Sequence, residues 1–424
     1  MTAVLFVVFF GLLVFGVPIA LALILASLIP LIVTEVPLMV VAQKIFTSFD
    51  SYGLMAIPFF MIAGGLLDKG GVSKRLVNFA NSLVGWLPGG LAIVTFLASA
   101  FFGAISGSAA ATVAAMGSIL VPAMLDEGYP LKFTLSTVAI AGILGIIVPP
   151  SIPMVIYGLA AGVSIGEVFM GGFVPGFMLA AGMSLYSVWY GRKYLKTTRV
   201  FSMAEVGRTF VDAIWALIMP LIVLGGIYGG VFTPTEAASV ACLYGLVVGV
   251  FVYREIDLKT IRAILHGAVT TSAMLFFVIA GATVFGLVMT REMIPVQVAE
   301  WILGIADNQF MFMAMVTVML LIVGTFMDVV PAVVILTPIF VPVLREYGVN
   351  PVAFGVIMII NLGIGLVTPP VGLNLYVAAG IRKTTIENVV SRHLLMYIFA
   401  AVCILVILMV LPSIIMFLPN MMIK

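Results

Sequence analysis

Charge is what this chain has least of. Asp, Glu, Lys and Arg make up 8% of its 424 residues while 63% are hydrophobic, which leaves too little polar surface to coat a soluble protein of this size. The chain is expected to lie in a bilayer. Cysteine and histidine are also scarce, two of each. Cys242 and Cys403 sit in apolar runs, so there is no disulfide framework, and His266 and His393 have no companion at metal-ligand spacing. With no HExxH pair and no Walker A loop, neither zinc proteolysis nor ATP hydrolysis has its machinery. The net charge of +2 says little about partners, and nucleic acid is not expected among them.

Long apolar runs are what the chain has instead. A span takes roughly 20 apolar residues, so the uncharged stretches allow about ten to twelve crossings or re-entrant segments, with membrane lipid as the surrounding solvent. Met1 to Thr34 is uncharged, lacks a basic leader and exceeds a signal-peptide core, which reads as a retained first helix. Arg192, Lys193, Lys196, Arg199 and Arg208 fall in one loop, against Glu205 and Asp212, and this excess places that loop in the cytoplasm. Lys69, Lys74 and Arg75 are expected on the same side.

The segment from Ala104 to Ile156 recurs without a gap 220 positions further on. Val121, Pro122, Gly128, Gly145, Pro149 and Pro150 return as Val341, Pro342, Gly348, Gly365, Pro369 and Pro370. Proline-interrupted apolar segments at matching places in two halves point to a transporter's binding site. Ordinary spans precede each copy, Leu5 to Val33 and Gly53 to Leu67 in the first half, Trp215 to Tyr253 and His266 to Met289 in the second. Leu91 to Leu125 breaks at SGSAAAT (Ser106 to Thr112), leaving arms of about 15 residues, or about 22 Å of helix. Such arms predict a re-entrant hairpin whose tip reaches the membrane middle, where protein or a water-filled cavity must surround it. The second copy breaks at GTFMDVVP (Gly324 to Pro331).

After each hairpin comes a broken helix. Proline lacks the N–H that bonds the carbonyl four residues back. Pro149, Pro150 and Pro153 thus release the carbonyls of Gly145, Ile146 and Pro149, and Pro369 and Pro370 release those of Gly365 and Leu366. A sodium ion is a partner for such oxygens. One cage combines Ser106, Gly107 and Ser108 with Gly145, Val148 and Pro149; the other combines Gly324, Thr325 and Phe326 with Gly365, Thr368 and Pro369. Taken alone, the small residues read equally as close helix packing.

Asp328 is the lone charge between Gln309 and Leu344, either a functional group or the cap of the helix that follows. Asn361 and Asn374 flank the second break, and Ser151 follows the first; each is a substrate contact or an interhelical bond. Arg291, beside Glu292, is an interfacial anchor or the bidentate clamp of an anion. Glu236, in Thr233-Pro234-Thr235-Glu236, is a capping residue.

Several blocks in order, FFGAISGSAAATVAAMGSILVPAM, GIIVPPSIP, GIYGGVFTPTEAASVACLYGL and TPPVGLNLYVAAGI, resemble the large, DctM-like membrane subunit of tripartite ATP-independent periplasmic (TRAP) transporters, over essentially the whole chain. The resemblance implies an all-α polytopic membrane protein, an inverted-repeat elevator transporter with scaffold helices, two re-entrant hairpins and two broken helices. Residues 1–90 would be scaffold, 91–190 the first half of the transport domain, 191–305 a cytoplasmic linker with further scaffold, and 306–424 the second half with a C-terminal helix. It further implies a bacterial inner membrane location, sodium as coupling ion with no other cofactor, and no enzymatic step. Two protein partners are implied, a small four-helix membrane subunit of the Q type and a soluble periplasmic binding protein. Because Met1 leads straight into the large-subunit pattern, the small subunit is expected as a separate chain. Family cargo is mostly carboxylate-bearing anions, including C4-dicarboxylates and sialic acid. The competing reading is an ion exchanger or channel, but a channel needs a continuous polar path, whereas the polar positions here cluster at two breaks.

Overall fold

The computed structural model describes residues 1–195 and 200–422, and those residues form helices joined by turns. Lys196 and Arg199 of the basic loop lie outside them. The first half runs α1 (Thr2–Val14), α2 (Ile19–Val33), α3 (Met39–Ser48), α4 (Ala56–Lys69), α5 (Val72–Val84), α6 (Gly90–Ser106), α7 (Ala109–Asp126), α8 (Leu131–Ala141), α9 (Leu144–Ile147), α10 (Ile152–Ala161) and α11 (Ile165–Tyr194). The second half runs α12 (Met203–Tyr228), α13 (Pro234–Val247), α14 (Leu258–Arg291), α15 (Ile294–Leu303), α16 (Gln309–Phe326), α17 (Val329–Glu346), α18 (Pro351–Gly365), α19 (Leu373–Ile381), α20 (Arg392–Val410) and α21 (Ser413–Met422). Nine helices among the described residues are long and apolar enough to cross a membrane, or ten if the pair Leu131–Ile147 and Ile152–Ala161, bent by 43°, counts as one span.

Two of the expected spans are broken. Leu5 to Val33 is α1 and α2, folded against each other, because Gly16 at φ +78 turns the chain and Pro18 starts the next helix. Trp215 to Tyr253 splits at Gly229-Gly230, after which Thr233 and Glu236 form the expected capping box at the start of α13. The hairpin arms are also longer than the sequence suggested, 17 residues in α6 and 18 in each of α7, α16 and α17. Three of these four pass as spans by length and composition.

Each copy of the repeat makes the same elements, a helix pair with a two-residue tip and a helix broken at Pro-Pro. The tips are Gly107-Ser108 and Met327-Asp328, and the Pro149-Pro150 and Pro369-Pro370 bonds are both cis. The copies exchange contacts reciprocally: α10 packs on α17 as α19 packs on α7, and α11 packs on α18 as α20 packs on α8. Contact of one copy's element with the other's, and the reverse, is what a two-fold relation produces. Most buried apolar side chains of these elements join one core, whereas α1, α2 and the end of α14 bury a second one around Phe9, Leu23 and Phe285.

Arg75 fixes the ends of several outer helices on one side. Its guanidinium reaches Glu255 at 2.8 Å and Asp212 at 3.4 Å and lies over the Tyr253 ring. The start of α5, the early turns of α12 and the connection into α14 therefore share a face.

Candidate functional site

At the first tip, α6 ends because Gly107 takes φ +61, and α7 starts because the Ser108 hydroxyl accepts the Ala111 N–H. The tip is tied to the break in its own copy. The Ile152 N–H donates to the Gly107 carbonyl at 3.4 Å, and a side chain at Gly107 would come within 3.1 Å of the Pro150 carbonyl oxygen. Ser106 Oγ lies 3.2 Å from Thr112 Oγ1, which donates to the Ser108 carbonyl at 2.8 Å. Gly145 sits directly against this group, since a methyl there would overlap Thr112 Oγ1 and stand 2.6 Å from the Ser108 oxygen. Ser106, Gly107, Ser108 and Gly145 are thus brought together as the spacing suggested, with Thr112 added. Thr112 is wholly buried, and its signal in the sequence is its place one turn after Ser108.

The second tip repeats the design with different chemistry. Asp328 stands where Ser108 stands in the first copy, and its carboxylate accepts the Val329 N–H at 2.8 Å to start α17. Gly372, the counterpart of Ile152, donates its N–H to the Thr325 carbonyl at 3.2 Å. Gly324 and Gly365 pack backbone to backbone, so that a methyl on Gly365 would overlap the Gly324 main chain.

Three of the five proline-released carbonyls find partners within the protein, and one of the three, Gly365, belongs to the second expected cage. Ser151 donates to the Ile146 carbonyl at 2.6 Å, Thr368 N–H to that of Gly365 at 2.9 Å, and Asn374 N–H to that of Leu366 at 3.1 Å. No hydrogen bond reaches the Gly145 or Pro149 carbonyl among the described residues. Val148 and Pro149 are buried in the same break. Phe326 is largely exposed at the end of α16, and Thr368 bonds back to the Ile364 carbonyl. The first copy is therefore the more open cage.

Both tips and both broken helices border one cavity of about 110 Å³, lined by Gly107, Ser108, Asp328, Ile152, Leu366 and Leu373 on the repeat side and by Met61, Thr271 and Leu275 on the side of α4 and α14. Met61, Ser108, Ile152 and Thr271 also line a second cavity of about 1150 Å³. This larger space runs between α4, α14 and the first hairpin to the face fixed by Arg75, where Asp68, Lys69, Lys74, Asp257 and Lys259 border it. Fourteen residues of helix separate Asp257 from Thr271, about 20 Å, so the tips lie deep below that charged rim. Hydrogen bonds from the Thr260 hydroxyl and N–H hold the Asp257 carboxyl below the usual carboxylate range.

The remaining candidates are placed elsewhere. Arg291 ends α14, on the order of 50 Å along that 34-residue helix from Asp257, exposed and lining neither cavity. Its neighbour Glu292 meets the Met1 ammonium at 3.4 Å. Ser151 is 1% exposed and caps α10 while it holds Ile146. Asn361 and Asn374 are fully buried, with both amide atoms of Asn361 and Oδ1 of Asn374 lacking a partner among the described residues. Asn374 Nδ2 donates to the Ala139 carbonyl at 3.3 Å, close to Gly142 and the first cage. Gly162-Val163-Ser164-Ile165-Gly166 has the spacing of a hydrolase nucleophile turn, but the Ser164 hydroxyl caps α11 by accepting the Glu167 N–H.

Residues 6–414 match the family model described as the tripartite ATP-independent periplasmic transporter, DctM component. The chain is 46% identical, over 98% of its length, to the isethionate TRAP transporter permease protein DctMQ of Oleidesulfovibrio alaskensis, of which it spans 66%. It is 39% identical to the C4-dicarboxylate TRAP transporter large permease protein DctM of Rhodobacter capsulatus, over 96% of each. With the 2,3-diketo-L-gulonate TRAP transporter large permease protein YiaN of Escherichia coli it shares 38% identity over 94% of each. In fold it is similar to the crystal structure of the Alcanivorax borkumensis YdaH transporter, with a TM-score of 0.63 and 14% identity over 89% of this chain and 88% of that one.

Proposed function

The chain belongs to the DctM family of tripartite ATP-independent periplasmic transporters, and from that premise we propose that it imports a small organic anion by sodium-coupled elevator movement. The observation that carries the reading is the convergence of both tips and both broken helices on one cavity that continues into a charged vestibule. In this reading the two copies are inverted repeats, and residues 91–190 and 306–424 form the moving domain. Residues 1–90 and 191–305 hold still in a bacterial inner membrane, and the Arg75 face is cytoplasmic by the excess of basic residues there.

Sodium binds at the first cage through Ser106, Thr112, the Ser108 carbonyl and the free carbonyls of Gly145, Val148 and Pro149, and at the second through its tip and break. The orphaned oxygens of Asn374 and Asn361 support these sites, because a buried amide oxygen without a partner calls for an ion or water. Asp328 acts as cap and as counter-charge to a bound cation, since a carboxylate repels an anionic cargo. Because the vestibule opens on the face read as cytoplasmic, it is the exit route of an importer, with Lys69, Lys74 and Lys259 along it, and Arg291 borders neither cavity. The cavity of about 110 Å³ shares Met61, Ser108, Ile152 and Thr271 with the larger vestibule, so the two form one continuous space. The cargo is a small organic anion bearing a carboxylate or sulfonate, with a C4-dicarboxylate, isethionate and sialic acid as the candidates to test. A small Q-type subunit and a periplasmic binding protein complete the system.

The test is uptake into proteoliposomes holding this chain, its small subunit and the binding protein. Labelled isethionate, a C4-dicarboxylate and sialic acid are offered under an inward sodium gradient. Full-rate uptake in sodium-free buffer with a proton gradient alone overturns the reading.

A further inference from the structure

A second cavity, of about 630 Å³, lies outside the transport path, where the N-termini of α8 and α20 meet the end of α11. Lys132, Arg392, His393, Asn388, Ser391 and Tyr190 line it, and no acidic side chain is among its described lining residues. The two helix starts are held together by Ser136, whose hydroxyl lies 2.8 Å from Ser391 Oγ and 2.8 Å from the Val389 carbonyl. Lys132 and Arg392 are exposed, whereas His393 is 7% exposed, with Nδ1 at 2.8 Å from the Tyr186 hydroxyl, so that Nε2 is the ring nitrogen not engaged by that contact. Pro130 gives α8 no side-chain cap, so the first N–H groups of that helix are also open. The equivalent place in the other copy is uncharged. Val352 stands for Lys132, and the cavity beside α18, lined by Gln309, Met313, Asn350 and Ala353, has no charged group.

From this convergence of two helix starts, two cations and a buried histidine, the geometry points to a binding site for a phosphate group. Phosphoryl oxygens accept the N–H donors of helix starts and the charged donors of Arg and Lys. The depth of the site fits a lipid. Trp189 and Tyr194, with Lys193 above both rings, mark the interface at the same end of α11, and basic pockets between spans on the cytoplasmic side take anionic lipid headgroups. A soluble phosphate ester presents the same oxygens.

The experiment compares wild type with Lys132→Gln/Arg392→Gln and with the charge-keeping Lys132→Arg/Arg392→Lys. Each is held in phosphatidylcholine nanodiscs and titrated with phosphatidylglycerol, and separately with inorganic phosphate. Readouts are bound ligand by native mass spectrometry and the rise in melting temperature. The double glutamine variant is expected to bind at least about tenfold more weakly, the loss of one charge-assisted contact, while the charge-keeping variant binds as wild type. Because both side chains are exposed, the ligand-free melting temperature should not move. Protection by lipid but not by phosphate assigns the site to a headgroup; protection by phosphate alone assigns it to a soluble ester. Equal binding of both probes by wild type and the glutamine variant overturns the proposal.

Discussion

At the scale of single residues, the site depends on where side chains are missing. Gly365 lies on the Gly324 backbone, so Gly365→Ala forces the second tip from its break and should abolish uptake or membrane abundance. Gly380→Ala, with nothing within 4 Å, is the control and should be neutral or stabilising by up to about 1 kcal/mol. Ser151→Ala strands the buried Ile146 carbonyl and should cost about 1–3 kcal/mol, seen as a lower melting temperature. A changed substrate KM at an unchanged melting temperature would instead make Ser151 a cargo contact. Thr112→Val keeps shape and removes the hydroxyl beside Ser106, and is expected to raise the sodium concentration for half-maximal uptake about tenfold, with substrate KM at saturating sodium unchanged. Normal sodium dependence would remove Thr112 from the cage. The sequence showed Ser106, Ser108 and the prolines because interruptions stand out in apolar runs. Thr112 stood at the edge of the first interruption, one turn after Ser108, with nothing to mark its hydroxyl as the group against Gly145. There was no sign that Ser151 and Asn374 would satisfy carbonyls from across a break, or that Thr368 would bond one on its own side.

Elements were more legible than side chains. The constant offset between the copies gave the order of hairpin and broken helix in both, since proline and glycine act on local backbone alone. Boundaries between adjacent spans were not legible where the linker stays apolar. Phe15 to Pro18 carries no charge to mark the turn between α1 and α2, and hydropathy therefore merges them. The position of Arg291 was hidden for a related reason, because only the full 34-residue course of α14 shows which end of the cavity it reaches. Rigid-body movement of the repeat elements against the others is testable at this scale. Gly53, ahead of α4, packs on Leu159 of α10, with a side chain at Gly53 coming 3.4 Å from Leu159 Cγ. Gly53→Cys with Leu159→Cys, once oxidised, should stop uptake, and reduction should restore it. The pair Gly171→Cys and Val356→Cys joins α11 to α18 within the proposed moving unit, so it should leave uptake unaffected. Transport through the oxidised first pair at the full rate would rule out an elevator movement.

For the molecule as a whole, the described residues form helices and connecting turns, with no separate soluble domain to gather dilute cargo. Uptake by the membrane subunits is therefore expected to be negligible until the cognate binding protein is added, and saturable uptake without it would contradict the tripartite reading. The tie of each tip to its own break, Gly107 to Ile152 and Thr325 to Gly372, bears on a different stage of the cycle. A carrier has to make its return journey unloaded. Where an empty cage falls open, each turnover includes a search for the loaded shape, and that search slows the reset. Here a main-chain hydrogen bond joins each tip to its own break, and under the proposed elevator reading such a tie would help the unloaded protein keep its site together on the way back. In that reading the return would be limited by the sliding of one body past another and not by the time taken to rebuild a site.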